Sequence, residues 1–173
     1  MNKWSIFLLV MAGTASVLTS CKKNEVEEFR MDSQTFVTQA SSSNNLTIQA
    51  STSATQKGVD QLVINYGNAA IADHARADSE LTALAASKGI TISTSLIAVH
   101  QSNLNILNQF TGDTFDQAFG ELMELNAQET VNLYDAAAQS LDDADLRQYA
   151  ATRLPALIAN LQQVRNLRSA LIE

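Results

Sequence analysis

Apolar residues recur at three- and four-residue steps through most of the chain, the rhythm of helices that bury one face. Phe36, Val37, Ala40, Leu46, Ile48 and Ala50 mark a first helix that Asp32 or Ser33 would cap. Its middle, Ser41-Ser42-Ser43-Asn44-Asn45, is made of poor helix formers, so the pattern is weakest there. Val59, Leu62, Val63, Tyr66, Ala70, Ala77, Leu81 and Leu84 predict a second helix from about Gly58 to Ser87, and Gly89 suits the left-handed residue that closes one. A shorter pattern runs from Thr94 to Phe110 on Leu96, Ile97, Leu104 and Leu107. Asp113 or Thr114 would then open a helix from Phe115 to Ser140, with Phe119, Leu122, Met123, Leu133 and Ala137 inside. Asp142 or Asp143 would open the last, which ends near Ile172 and carries Leu146, Ala150, Leu154, Leu157, Leu161, Val164 and Leu171. Pro155 lies within it and should bend it by removing one backbone donor.

Four long helices and one short one, joined by short connections, predict an all-α antiparallel bundle in up-down order. One proline and six glycines leave few places for the helices to break. No internal repeat is visible beyond the helical rhythm itself.

The rhythm is absent before residue 32, where the chemistry is different. Lys3 precedes an apolar core from Ile6 to Met11, far short of the roughly 20 residues a spanning helix needs. The string Leu18-Thr19-Ser20-Cys21 follows. A positive end, an apolar stretch and small residues before a cysteine are the layout of a bacterial lipoprotein leader. The expected organisation is a signal peptide over residues 1–20, a tether over 21–31 starting at the lipid-bearing Cys21, and a bundle over 32–173. Each buried methylene of an acyl chain contributes about 0.8 kcal/mol, so two or three chains hold a protein on a membrane durably. Cys21 is the only cysteine, which leaves the bundle to be stabilised by packing, without an intramolecular disulfide. The next residue is Lys22 rather than an inner-membrane-retaining Asp, so the expected address is the outer membrane, facing the periplasm or the cell surface.

Loss of the leader removes one charge, Lys3, and moves the net charge from −7 to −8. Such an acidic chain is a poor partner for nucleic acid or anionic headgroups. The expected partners are the membrane, through the lipid on Cys21, and an envelope protein. No phosphate loop, Ser-His-Asp motif or metal-binding cysteine set is present.

His74 is the most interesting polar residue of the bundle, because it falls on an apolar face four residues after Ala70, with Asp73 before it and Asp78 after. A di-iron bundle wants two Glu-x-x-His pairs, and this chain has none. The expectation is therefore a histidine near the core, hydrogen-bonded to a neighbouring helix. Glu129, ten residues after Phe119, falls near the inner face, where Arg153 could pair with it or His74 share a metal with it, but a structural salt bridge or simple exposure is the favoured expectation. His100 is expected to be exposed.

Several strings give the chain a family resemblance from about Asp32 to Leu171. They are Ala72-Asp73-His74 followed by Leu81-Thr82-Ala83-Leu84-Ala85, then Gly89-Ile90, Phe115-Asp116-Gln117-Ala118-Phe119 and Leu154-Pro155-Ala156-Leu157. In this order they resemble a family of secreted bacterial proteins of unknown function, many labelled outer-membrane proteins, with a ferritin-like bundle. The resemblance implies a Glu in the first helix, a His after the Phe-Asp segment and a His five residues after the Leu-Pro proline. Here those places hold Thr47, Asn126 or Ala127, and Asn160, and only His74 is kept. The reading that follows is a lipid-anchored, non-enzymatic structural or partner-binding bundle without a cofactor. The alternative is a degenerate metal site of His74, Glu129 and Asp73.

Overall fold

A computed structural model describes residues 31–172. The leader, Cys21 and the tether up to Arg30 lie outside the described residues. Five helices make up the fold: α1 (Ser33–Lys57), α2 (Gln61–Ser87), α3 (Ala98–Leu107), α4 (Gly112–Ser140) and α5 (Ala144–Ala170). The architecture is the all-α, ferritin-like four-helix bundle with one additional short helix that the periodicity and the resemblance imply.

The ends of the helices follow local chemistry. Asp32 caps α1 by accepting the Thr35 amide at 2.8 Å, and Asp143 caps α5 by accepting the Asp145 and Leu146 amides at 3.0 Å. Gly89, at φ 68°, closes α2 as expected, with the Ile90 amide returning to the Ala85 carbonyl at 3.0 Å. Three starts differ from expectation. α3 begins at Ala98, not near Thr94, and the Ile97 amide just before it is held by Ser42 Oγ at 2.9 Å. α2 begins after Asp60, not at Gly58, because Asp60 accepts the Leu62 amide at 2.7 Å. Gly58 stays in the connection, where a Cβ would lie 2.6 Å from the Ala54 carbonyl oxygen. α4 begins at Gly112, whose φ of 62° turns the chain out of α3, and Asp113 and Thr114 fall inside the helix. α5 runs through Pro155 without interruption, so the Ala151 carbonyl lacks the amide donor a helix would supply there.

Contacts at the two ends fix the topology. At one end, the buried Asp116 carboxylate of α4 accepts the Val59 amide at 3.1 Å and the Asp60 amide at 2.6 Å, seating the start of α4 beside the α1–α2 turn. At the other end, Lys88 pairs with Asp143 and Asp145, seating the end of α2 beside the start of α5. α2 and α4 therefore start at the same end and run parallel across the diagonal. The order around the bundle is α1, α2, α5, α4, and every adjacent pair is antiparallel. The expected up-down order is corrected in one respect: residues 88–111 form a crossover the length of the bundle. Within it, α3 climbs the seam between α1 and α4, from the level of Ser42 to that of Lys57.

The apolar core is in two halves. One gathers Leu46, Ala54, Val63, Phe115, Phe119, Met123 and Val164, with the Phe115 and Phe119 rings stacked at 6.3 Å. The other gathers Phe36, Val37, Leu81, Tyr134, Leu146 and Leu157, with Phe36 and Tyr134 meeting edge to face at 5.1 Å. Between them lies a layer of polar side chains.

Candidate functional site

The polar layer is built on the segment of α1 that looked weakest as a helix. Residues 41–44 and Thr47 are helical and buried, because side chains from α2, α3 and α4 take up their hydrogen bonds. The Ser43 hydroxyl sits between Asn126 Oδ1 and Thr130 Oγ1 of α4. Asn126 Nδ2 donates to Thr47 Oγ1 at 2.9 Å and to the Ser43 carbonyl at 3.3 Å. The Thr130 hydroxyl donates to the Asn126 carbonyl at 2.7 Å. Both ends of the Asn126 amide are therefore occupied by protein, at 3% exposure.

Two histidines flank this segment. On the α2 side, half-buried His74 has Nδ1 3.1 Å from Asn44 Oδ1, a distance at which the ring donates. The expectation of a histidine bonded to a neighbouring helix describes this contact. Asn44 Nδ2 is buried without a partner, as is Ser51 Oγ. On the α3 side, His100 is only 6% exposed, contrary to expectation. Its Nδ1 lies 2.7 Å from Ser42 Oγ, which also accepts the Ile97 amide at 2.9 Å and so fixes where α3 begins. Burial pushes the titration of His100 down.

The positions that the resemblance matched to inward ligands come together in space. Thr47, His74, Asn126, Ala127 and Asn160 all line one internal cavity of about 10 Å³, with Tyr66 and Met123. That volume is close to the minimum for one water. Beyond it, between α2 and α5, opens a cleft of about 250 Å³ that shares Tyr66, His74, Leu157 and Asn160 with the cavity. Tyr66 donates to Asn160 Oδ1 at 3.1 Å, and burial pushes its hydroxyl up to about 12. Asp73, Arg76, Arg153 and Gln163 complete the cleft wall.

The other expected site residues are elsewhere. Glu129 is exposed, one of the two favoured outcomes, and lines the groove beside His100 on the α1–α4 side, across the bundle from His74. Arg153 faces Glu80 at 3.7 Å instead of Glu129. Asp73 is exposed and paired with Arg76 at 2.7 Å. Asp78 accepts the Ser41 hydroxyl at 2.9 Å. The set His74, Glu129 and Asp73 is thus not assembled. Among the described residues, no three of His, Cys, Asp and Glu gather closely enough to hold a metal ion.

Burial, followed by the charge of Arg153, lowers the His74 pKa from 6.5 to about 4, and Asp73 only partly opposes this. Between those values the unfolded chain binds the extra proton, so protonation favours unfolding. The contribution of His74 is full above about pH 6.5 and is lost as the pH falls toward 4. His74→Gln, which keeps a donor for Asn44 but cannot titrate, should narrow the gap between urea midpoints at pH 7.5 and pH 5. An unchanged gap would contradict the burial of a neutral ring.

Comparisons with known proteins bear on the family and the fold. A family model described as "Domain of unknown function (DUF4142)" matches residues 18–167. Among solved structures, one described as "CopM in the Cu(II)-bound form" is similar with a TM-score of 0.66 at 15% identity, over 82% of this chain and 99% of that one. At this identity the likeness shows the fold. No curated protein matches the chain. Among the described residues, no helix is long and apolar enough to cross a membrane.

Proposed function

We propose that this chain, which belongs to the DUF4142 family, is a lipid-anchored envelope protein whose bundle acts as a structural or partner-binding module and not as an enzyme. One observation carries the reading of the bundle: the saturated Asn126 amide at its centre. A ferritin-like metal site needs carboxylates and histidines projecting into that layer. Here Thr47, Asn126 and Thr130 fill it and satisfy one another. A metal ion would have to break these bonds and would gain only neutral hydroxyl and amide ligands and one imidazole. Arg153 adds positive charge beside that imidazole, which opposes a cation further. The residues therefore do not fit a resident metal. Cu(II) is named for CopM, and at 15% identity the likeness carries the fold and not that metal.

The anchor is supported by the leader string that ends in Cys21. The bundle itself is tested by metal uptake. The full chain, purified in detergent, is incubated with Cu(II), Zn(II) or Fe(II), desalted and analysed for metal. The expected content is far below stoichiometric and the same in His74→Ala. A stoichiometric ion that is lost in His74→Ala would overturn the reading.

A further inference from the structure

The cleft between α2 and α5 holds more unspent hydrogen-bonding capacity than a packed seam requires. Arg153 is the main case. Its side chain is only 24% exposed, yet its partner, Glu80, lies at 3.7 Å, too far for a hydrogen bond. A guanidinium carries five donors in a planar fork that fits a carboxylate. Asn160, which lines the same cleft, spends its Oδ1 on the Tyr66 hydroxyl and keeps its amide donors for other partners. From α2, His74 adds a neutral acceptor. His74 spends Nδ1 on Asn44, so its Nε2 lone pair is free, and the ring lines both the cleft and the cavity behind it.

Charge selects the sign of the occupant. The lining carries Arg76 and Arg153 against Asp73, and Arg76 already neutralises Asp73 at the rim. Arg153 is held more loosely, by Glu80 at 3.7 Å, so it is the cation left to meet an anion in the cleft. Burial first and the Arg153 charge second keep His74 neutral, and that charge repels cations and attracts anions. Size is a second selector: about 250 Å³ is below the range that takes drug-sized ligands. The cavity beyond admits no more than a water.

We propose that this cleft binds a small organic carboxylate that also carries a hydrogen-bond donor, as a hydroxy acid or amino acid does. The carboxylate sits on the Arg153 fork and the Asn160 amide, and the donor meets His74 Nε2. This role extends beyond the membrane anchor and does not depend on it.

The chain has two histidines, so imidazole-selective NMR of the full chain in detergent reports the cleft through His74 and the intact fold through His100. The His74→Gln variant assigns the signals. Sodium lactate is expected to shift the His74 signals saturably while His100 stays still, and sodium chloride at equal ionic strength to leave both in place. Acetate, lacking the hydroxyl, should bind roughly three- to tenfold more weakly, the share of one neutral hydrogen bond. Arg153→Gln should weaken lactate at least about tenfold with the His100 signals unchanged, whereas Arg165→Gln, outside the cleft, should not. A lactate shift that fails to saturate, that chloride reproduces, or that survives Arg153→Gln would overturn the proposal.

Discussion

Phe119→Ala is expected to destabilise the bundle by about 3–5 kcal/mol, the cost of emptying a buried aromatic site. Phe119 is fully buried, stacks on Phe115 at 6.3 Å and meets the Tyr66 ring edge to face at 6.0 Å. Its removal therefore opens a cavity in one half of the core and also loosens Tyr66, which holds Asn160 at the edge of the polar layer. The α4–α5 seam also carries the exposed ion pairs of Glu124 with Arg165 and Arg168. Urea unfolding should show a lower midpoint with an unchanged slope. Phe119→Leu, which keeps most of the volume, should lose much less. Ile158→Ala, at a half-exposed position, should lose little. A cost below about 1 kcal/mol for Phe119→Ala would mean that this half of the core is not packed as described.

The helices themselves were legible, because a 3.6-residue period needs no tertiary information. The polar layer was only partly so. Residues 41–45 read as a weak stretch on local propensity, yet they are helical, since Asp78, His100, Asn126 and Thr130 supply partners that only the folded chain brings near. His100 could not be placed from sequence, because its burial depends on α3 lying along the α1–α4 seam. The crossover that puts α3 there follows from contacts such as Asp116 with Val59, fifty-seven residues apart.

Glu129 is a different case, where the signal was present. Ten residues at 3.6 per turn place it about 80° around the helix from Phe119, which takes it off the buried face. Asn126 and Thr130, seven and eleven residues on, fall within about 20° of Phe119, and both are buried. The same arithmetic would have found these two residues. The resemblance pointed to Thr47, Asn126 or Ala127, and Asn160 by another route, and all four line one cavity.

The second large effect concerns the anchor. Cys21 supplies the only thiol in the chain, so its replacement removes every site for a thioether-linked lipid. Because anchoring needs more than one acyl chain and each methylene contributes about 0.8 kcal/mol, its loss should be all or none, not graded. Lys22 and the acidic residues after it offer no substitute, since a chain of net charge −7 gains little from anionic headgroups. The most direct measurement is to grow bacteria expressing the full chain with a clickable palmitate analogue, then fractionate the cells. Lipid anchoring at Cys21 predicts a labelled chain in the membrane fraction and an unlabelled Cys21→Ala chain absent from it. An unlabelled wild-type chain, or a Cys21→Ala chain labelled and sedimenting like wild type, would contradict it.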